Sequence, residues 1–232
     1  MRCLYCHNPD TWEFGHAGKG EEGGRGTDMT VAEVLEAFER NRPFYTKGGI
    51  TVTGGEPMAQ PDFVADLFAA AHAQPRGRIH TCLDTSGATY SPRNAARFDA
   101  LLSETDMVLL DIKTAYVDDH QELCGLDASH ARDLGDELNR RHIPTLIRHV
   151  VVPGWTDTEE EVTALGRLIG DWDNIVGLDL LPYHTMGTTK YENLGMEYPL
   201  KGVPAMSPAK AKQLRQVTLR ARAARRAERG LH

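Results

Sequence analysis

Cys3-Leu4-Tyr5-Cys6-His7 is the first run in this chain whose residue types could do chemistry, because two closely spaced thiols can bind a metal or cycle as a dithiol. Several uses match that spelling to different degrees. Covalent c-type haem attachment uses Cys-x-x-Cys-His but needs an exported chain, usually a small helical one. A four-cysteine zinc site needs a second close pair, whereas Cys82 falls inside a candidate strand and Cys124 stands alone. A thioredoxin-like dithiol follows a strand and opens a helix, and no strand precedes Cys3. An iron–sulfur cluster, which takes thiolates as soft ligands, is the remaining reading.

Other reactive side chains recur where short apolar segments end. Gly54, Gly55 and Glu56 follow the segment 50–53, and Asp84, Thr85, Ser86 and Gly87 close the segment 78–84. Asp111, Ile112 and Lys113 close the segment 107–112, Arg148 lies within 145–152, and Pro182, Tyr183 and His184 close 176–183. Taken singly, each has a structural explanation: a tight turn at Gly54-Gly55, a cap at Asp84, an Arg148–Asp111 ion pair, a hydrogen-bonded loop histidine at His184. Five consecutive segment ends of this kind form a pattern, because a parallel βα barrel builds its active site at the carboxyl ends of its strands.

The elements that would position these groups are βα units. The segments above are too continuously apolar to have one face in water, as in parallel strands covered by helices. Between them lie helical patterns: Val31, Val34, Leu35 and Phe38; Phe63, Val64, Leu67 and Phe68; Leu134 and Leu138; Val162, Leu165, Leu168 and Ile169. Thr30 and Glu33 are spaced as a capping box for the first of these. Residues 15–27 are glycine-rich and polar and predict a mobile loop. Within it Gly18-Lys19-Gly20-Glu21-Glu22-Gly23 spells G-x-G-x-x-G, but no strand precedes it and two carboxylates stand where a pyrophosphate would approach, so a dinucleotide site is rejected. A basic helix is expected at about 208–229, read as a solvated face rather than a docking site for an acidic partner. No composition shift marks a second domain, so residues 1–232 are expected to form one.

With 41% apolar and 25% charged residues, the 232-residue chain has the composition of a globular domain able to bury a core without staples. No apolar run is long enough to span a bilayer and no secretory signal opens the chain, so a cytoplasmic location and reduced cysteines are expected. The net charge of −7 argues against generic nucleic-acid binding.

Several motifs taken in order carry a resemblance: Met1-Arg2-Cys3-Leu4-Tyr5-Cys6-His7-Asn8 with Asp10-Thr11-Trp12, Thr53-Gly54-Gly55-Glu56, and His80-Thr81-Cys82-Leu83-Asp84-Thr85. Leu110-Asp111-Ile112-Lys113, Ile147-Arg148 through Trp155, and Leu180-Leu181-Pro182-Tyr183-His184 continue it to about Val203. The chain resembles the radical S-adenosylmethionine (SAM) family, in particular its activases of glycyl-radical enzymes of the pyruvate formate-lyase type. The resemblance implies an α/β fold, a partial (β/α)6 TIM-like barrel lacking the first strand. It also implies a [4Fe-4S] cluster and SAM as cofactors, with reductive SAM cleavage and hydrogen abstraction from a glycine of a partner enzyme. Cys3 and Cys6 are then similar to the second and third cysteines of the family's cluster loop. Tyr5, Cys6 and His7 would lie along adenine and the cluster edge. Gly54, Gly55 and Glu56 belong to the motif that meets the SAM amino group, and Asp111, Ile112, Lys113, Arg148 and His184 would surround SAM. Asp84 and Thr85 match a monovalent-cation site, whereas Cys82 matches as a strand residue and Cys124 is expected only to pack. The family's first cluster cysteine would precede Met1, so an N-terminal truncation is expected. The alternatives are a cluster-deficient homologue that only binds SAM or a partner, or an activase of another glycyl-radical enzyme. A monomer taking electrons from flavodoxin or ferredoxin completes the implied picture.

Overall fold

The alternation of apolar and amphipathic segments produces βα units in the computed structural model of the protein, which describes residues 1–12, 27–45, 47–127 and 129–231. The glycine-rich loop and its G-x-G-x-x-G spelling fall largely outside the described residues. Five strands, β1 (Gly49–Val52), β2 (His80–Thr85), β3 (Met107–Asp111), β4 (Thr145–Val151) and β5 (Ile175–Pro182), pair in parallel in the order β1-β2-β3-β4-β5. This is the open five-stranded arc expected of the partial barrel. Helix α1 (Val31–Asn41) precedes it; α2 (Pro61–His72), α3 (Asp99–Ser103), α4 (Val117–Cys124), α5 (Ser129–Arg140) and α6 (Glu159–Ile169) occupy the crossovers. The last two helices, α7 (Thr188–Asn193) and α8 (Pro208–Glu228), follow β5. Among the described residues no helix is long and apolar enough to cross a membrane.

Local chemistry starts the helices. The Thr30 hydroxyl accepts from Glu33 N at 3.3 Å while the Glu33 carboxylate accepts from Thr30 N at 2.7 Å, so the capping box forms. At α6, Thr158 accepts from Glu161 N at 3.1 Å, and three glutamates occupy the positive end of the helix dipole. Phe68, Leu83, Leu110, Leu134, Ile147, Leu165 and Ile169 are fully enclosed between sheet and helices. Burial of each such side chain stabilises the fold by roughly 1.5–3 kcal/mol before conformational entropy is subtracted.

Two features depart from the sequence expectation. Along β4, Thr145, Ile147, His149 and Val151 are buried but Leu146, Arg148 and Val150 are half-exposed, because the concave side of the arc opens into a cleft rather than a filled lumen. The basic α8 is also less solvated than its composition suggests. Arg225 pairs with Asp171 at 2.7 Å and Arg226 with Asp173 at 2.9 Å, while Arg215 and Arg222 donate to the Leu178 and Ile175 carbonyls. The helix lies against α6, where a Cβ on Gly166 would come within 2.4 Å of the Thr218 carbonyl oxygen, so only glycine permits this approach.

Candidate functional site

Strand parity places the charged groups. In a parallel arc alternate residues face the concave side, and Asp111 and Arg148 are register partners there. Arg148 Nη1 donates to Asp84 Oδ2 at 2.6 Å, which also accepts from the Thr53 hydroxyl at 2.9 Å. Arg148 Nε lies 3.9 Å from Asp111 Oδ1, and Lys113 Nζ donates to Asp111 Oδ2 at 2.9 Å. Burial alone would lower the pKa of Lys113, but the Asp111 carboxylate and the Cys3 sulfur more than offset it and raise it, keeping the ammonium charged. Glu56 joins the end of β1 to that of β2, accepting from the Thr85 hydroxyl at 2.5 Å and from the Ser86 hydroxyl at 2.6 Å. Gly54, at φ +130°, adopts a backbone conformation that L side chains rarely reach, and a Cβ on Gly55 would press on the Thr11 carbonyl oxygen at 3.3 Å.

The thiol loop crosses this mouth. Arg2 N donates to the Cys124 carbonyl at 3.0 Å and Leu4 N to the Leu123 carbonyl at 2.9 Å, which pins the loop against the end of α4. Cys6 N donates to the Cys3 carbonyl at 3.0 Å, and Asn8 N donates to Cys6 Sγ at 3.4 Å. On the far side, the His7 ring stacks on His184 with centroids 4.1 Å apart, and Lys190 Nζ donates to Asn8 at 2.8 Å. Cys3 is buried, and the neighbouring Cys124 thiol lowers its pKa, helped by Lys113 and opposed by burial. The same contact and burial raise Cys124, and burial raises Cys6.

Together these elements enclose a cleft of about 340 Å³, within the range of small-molecule sites. Of the site residues expected from the sequence, Cys3, Tyr5, Cys6, His7, Gly54, Gly55, Glu56, Asp84, Thr85, Asp111, Lys113 and Arg148 line it. Two expected residues do not. Ile112 has the opposite strand parity and its side chain is buried in the core, and the exposed His184 instead holds His7 by stacking and by accepting from its Nε2 at 3.1 Å. Asn8, Thr11, Trp12, Thr53, Ser86 and Val150 also line the cleft; the sequence motifs contain them but assign them no role in the site. Parity alone identifies Ser86 and Val150, each two residues beyond a selected one. Asn8, Thr11 and Trp12 arrive through the Pro9–Thr11 3-10 turn, which residue spacing does not reveal.

The donor set can be weighed against the groups the resemblance implies. Adjacent cationic and anionic side chains beside glycine backbone suit an amino acid end such as that of SAM. Cys3 and Cys6 suit iron, and the buried Tyr5 and Tyr191 hydroxyls have no hydrogen-bond partner among the described residues, their pKa values raised by burial and then by these sulfurs. Among the described residues no group of three or more histidines, cysteines and carboxylates is arranged to hold a metal. The described residues therefore fit two of the ligand positions of a cluster.

Residues 1–165 match the sequence profile of the Radical SAM superfamily. The chain is 38% identical over 207 residues to a pyruvate formate-lyase-activating enzyme of Staphylococcus epidermidis, covering 88% of this chain and 78% of that one. The enzyme of the same name from Staphylococcus aureus (strain USA300) is 37% identical over 209 residues, with 88% and 79% covered. Among solved structures, a domain of pyruvate-formate lyase-activating enzyme from Bacteroides vulgatus superposes with a TM-score of 0.60 at 20% identity, covering 75% of this chain and 95% of that one. A radical SAM methyltransferase from Sphaerobacter thermophilus gives 0.60 at 17% identity, with 84% and 56% covered. These two likenesses concern the fold.

Proposed function

The chain belongs to the radical SAM superfamily, and from that premise we propose that it activates pyruvate formate-lyase by generating a glycyl radical on it. The observation that carries this reading is the meeting of a thiol pair with the Asp84–Arg148 and Asp111–Lys113 pairs around one cleft. Cys3 and Cys6 would hold a [4Fe-4S] cluster, and Tyr5 and His7 would border it and the adenine of SAM. When bound, cluster and SAM together supply one-electron cleavage of a carbon–sulfur bond and hydrogen abstraction from a glycine. Asp111 and the Gly54-Gly55 backbone would orient the SAM amino group, and Lys113 and Arg148 its carboxylate. Asp84 and Thr85 would flank a monovalent cation, and His184 acts by fixing the His7 ring. The walls of the cleft limit access of water to the reacting atoms. Flavodoxin or ferredoxin is the proposed electron donor.

A second reading, a homologue that binds SAM or a partner without a working cluster, is favoured by one observation: among the described residues two cysteines, Cys3 and Cys6, line the cleft. Anaerobic reconstitution with iron and sulfide, followed by iron analysis and detection of 5′-deoxyadenosine, separates the two. Incubation with pyruvate formate-lyase, SAM and a reductant should then yield a glycyl-radical EPR doublet. Iron uptake and 5′-deoxyadenosine formation with a doublet only on a different glycyl-radical enzyme would overturn the choice of partner, and neither product would overturn the activase reading.

A further inference from the structure

Cys124 takes no part in the function proposed above, yet its position is controlled. It is the last residue of α4, where Gly125, in the left-handed conformation at φ 71°, ends the helix with its N–H on the Gln121 carbonyl at 2.9 Å. Two backbone hydrogen bonds hold residues 2 and 4 beside residues 124 and 123. This pairing brings Cys3 alongside Cys124 at the end of α4, and both side chains are buried. The other cysteines are differently engaged. Cys6 Sγ accepts from Asn8 N, and Cys82 is buried in β2.

We propose that Cys3 and Cys124 form a reversible disulfide when no metal occupies Cys3, making this pair an oxidative modification site. Approach is ordered, because Cys3 lines the cleft and Cys124 does not. A small aliphatic disulfide entering the cleft is attacked by the Cys3 thiolate, which forms a mixed disulfide and expels one small thiolate. Cys124 loses its proton and attacks the Cys3 sulfur, forming the protein disulfide and expelling the second small thiolate. Two protein thiols are oxidised, the small disulfide is reduced to two thiols, and the two protons end on those thiols. The bond removes Cys3 from the iron-binding set until a reductant reverses it. This last consequence rests on the reading of Cys3 as a cluster ligand, whereas the disulfide itself does not.

The metal-free protein, treated anaerobically with cystamine, quenched with iodoacetamide and digested without reductant, tests the pairing by mass spectrometry. The peptides carrying Cys3 and Cys124 should be linked, with fragmentation placing the bond on Cys3, in the wild type and in Cys6→Ser, and unlinked in Cys124→Ser. A Cys3–Cys6 bond in the wild type, or Cys124 fully alkylated after oxidation, overturns the proposal. Iron uptake from iron and sulfide is the second readout. It should fall severalfold in the oxidised wild type and return after dithiothreitol and desalting. Undiminished uptake by protein with a mapped Cys3–Cys124 bond would refute the role of Cys3 as ligand and leave the disulfide standing.

Discussion

Removing the Asp111 carboxylate should destabilise the protein chiefly by leaving the Lys113 ammonium charged and unpaired in a mostly enclosed site. The two side chains are 20% and 13% exposed and meet at 2.9 Å. Breaking a buried pair of this kind costs about 3 kcal/mol, the low end of the usual range because the cleft admits some water. At about 2–4 °C per kcal/mol for a domain of this size, Asp111→Ala should melt about 6–12 °C below the parent. Part of that loss comes from Arg148, 3.9 Å from the same carboxylate, so the pair is best isolated by a cycle of Asp111→Ala, Lys113→Ala and the double variant. Urea denaturation at pH 7.5 should give a double variant that loses about 2 kcal/mol less than the sum of the singles. The pH dependence has a defined sign. In Asp111→Ala, burial unopposed by the carboxylate depresses the folded-state pKa of Lys113 below its unfolded value. The unfolded chain then binds more protons, and the deficit shrinks as pH rises toward 10, the ordinary lysine range. Losses that add within about 0.5 kcal/mol, with no pH trend, would refute the claim that this pair is coupled and desolvated.

Three further outcomes follow from the packing. Glu161 is buried with its pKa raised by desolvation, so the folded state favours its protonated form, and its contribution to stability falls as pH rises from the ordinary glutamate range through the raised value. Glu161→Gln should remove that slope and raise the urea midpoint at pH 8, and a parallel, lower curve would contradict the assignment. Gly166→Val drives a side chain into Thr218 and Ala221 of α8 and should cost about 1–3 kcal/mol by thermal melting, whereas a change below 0.5 °C would show that the α6–α8 contact is loose. Asp173→Ala removes the one half-exposed carboxylate shared by Arg226 and Arg229 and should cost under about 1 kcal/mol in the same assay; a loss of 3 kcal/mol would mean that these ion pairs anchor α8.

The strands were legible because runs such as Val108-Leu109-Leu110 can bury themselves only inside a covered sheet, and their ends differ from expectation by at most two residues. Strand β2 starts at His80 rather than Arg78, whose guanidinium instead donates to Asp106. The cleft was legible to the same degree, since strand parity fixes Asp84, Asp111 and Arg148 once the sheet is parallel. Helices α4 and α7 were not, because each is too short to display a full apolar stripe. For the same reason Cys124 could be read only as packing: its neighbour Cys3 is distant in sequence and reaches it through the tertiary fold. The charges of α8 were visible, but the aspartates that draw them back onto β5 and its connection lie on a different element. Sequence order gives no sign of that pairing.

The stack of His7 on His184 and the Lys190–Asn8 hydrogen bond join the two flanks of an arc whose outer strands, β1 and β5, do not pair. That junction behaves like a clasp rather than a weld. Opening it would break the ring stack, the hydrogen bond from His7 to the His184 carbonyl, the Lys190 contacts with Asn8 and Asp10 and the edge contact of Trp12 with Tyr191. No sheet hydrogen bond is broken in doing so, and the rear of the loop stays tethered at Leu123 and Cys124. Substitutions around Thr185 to Lys190 can therefore change how firmly the front of the thiol loop is held while leaving both thiols untouched.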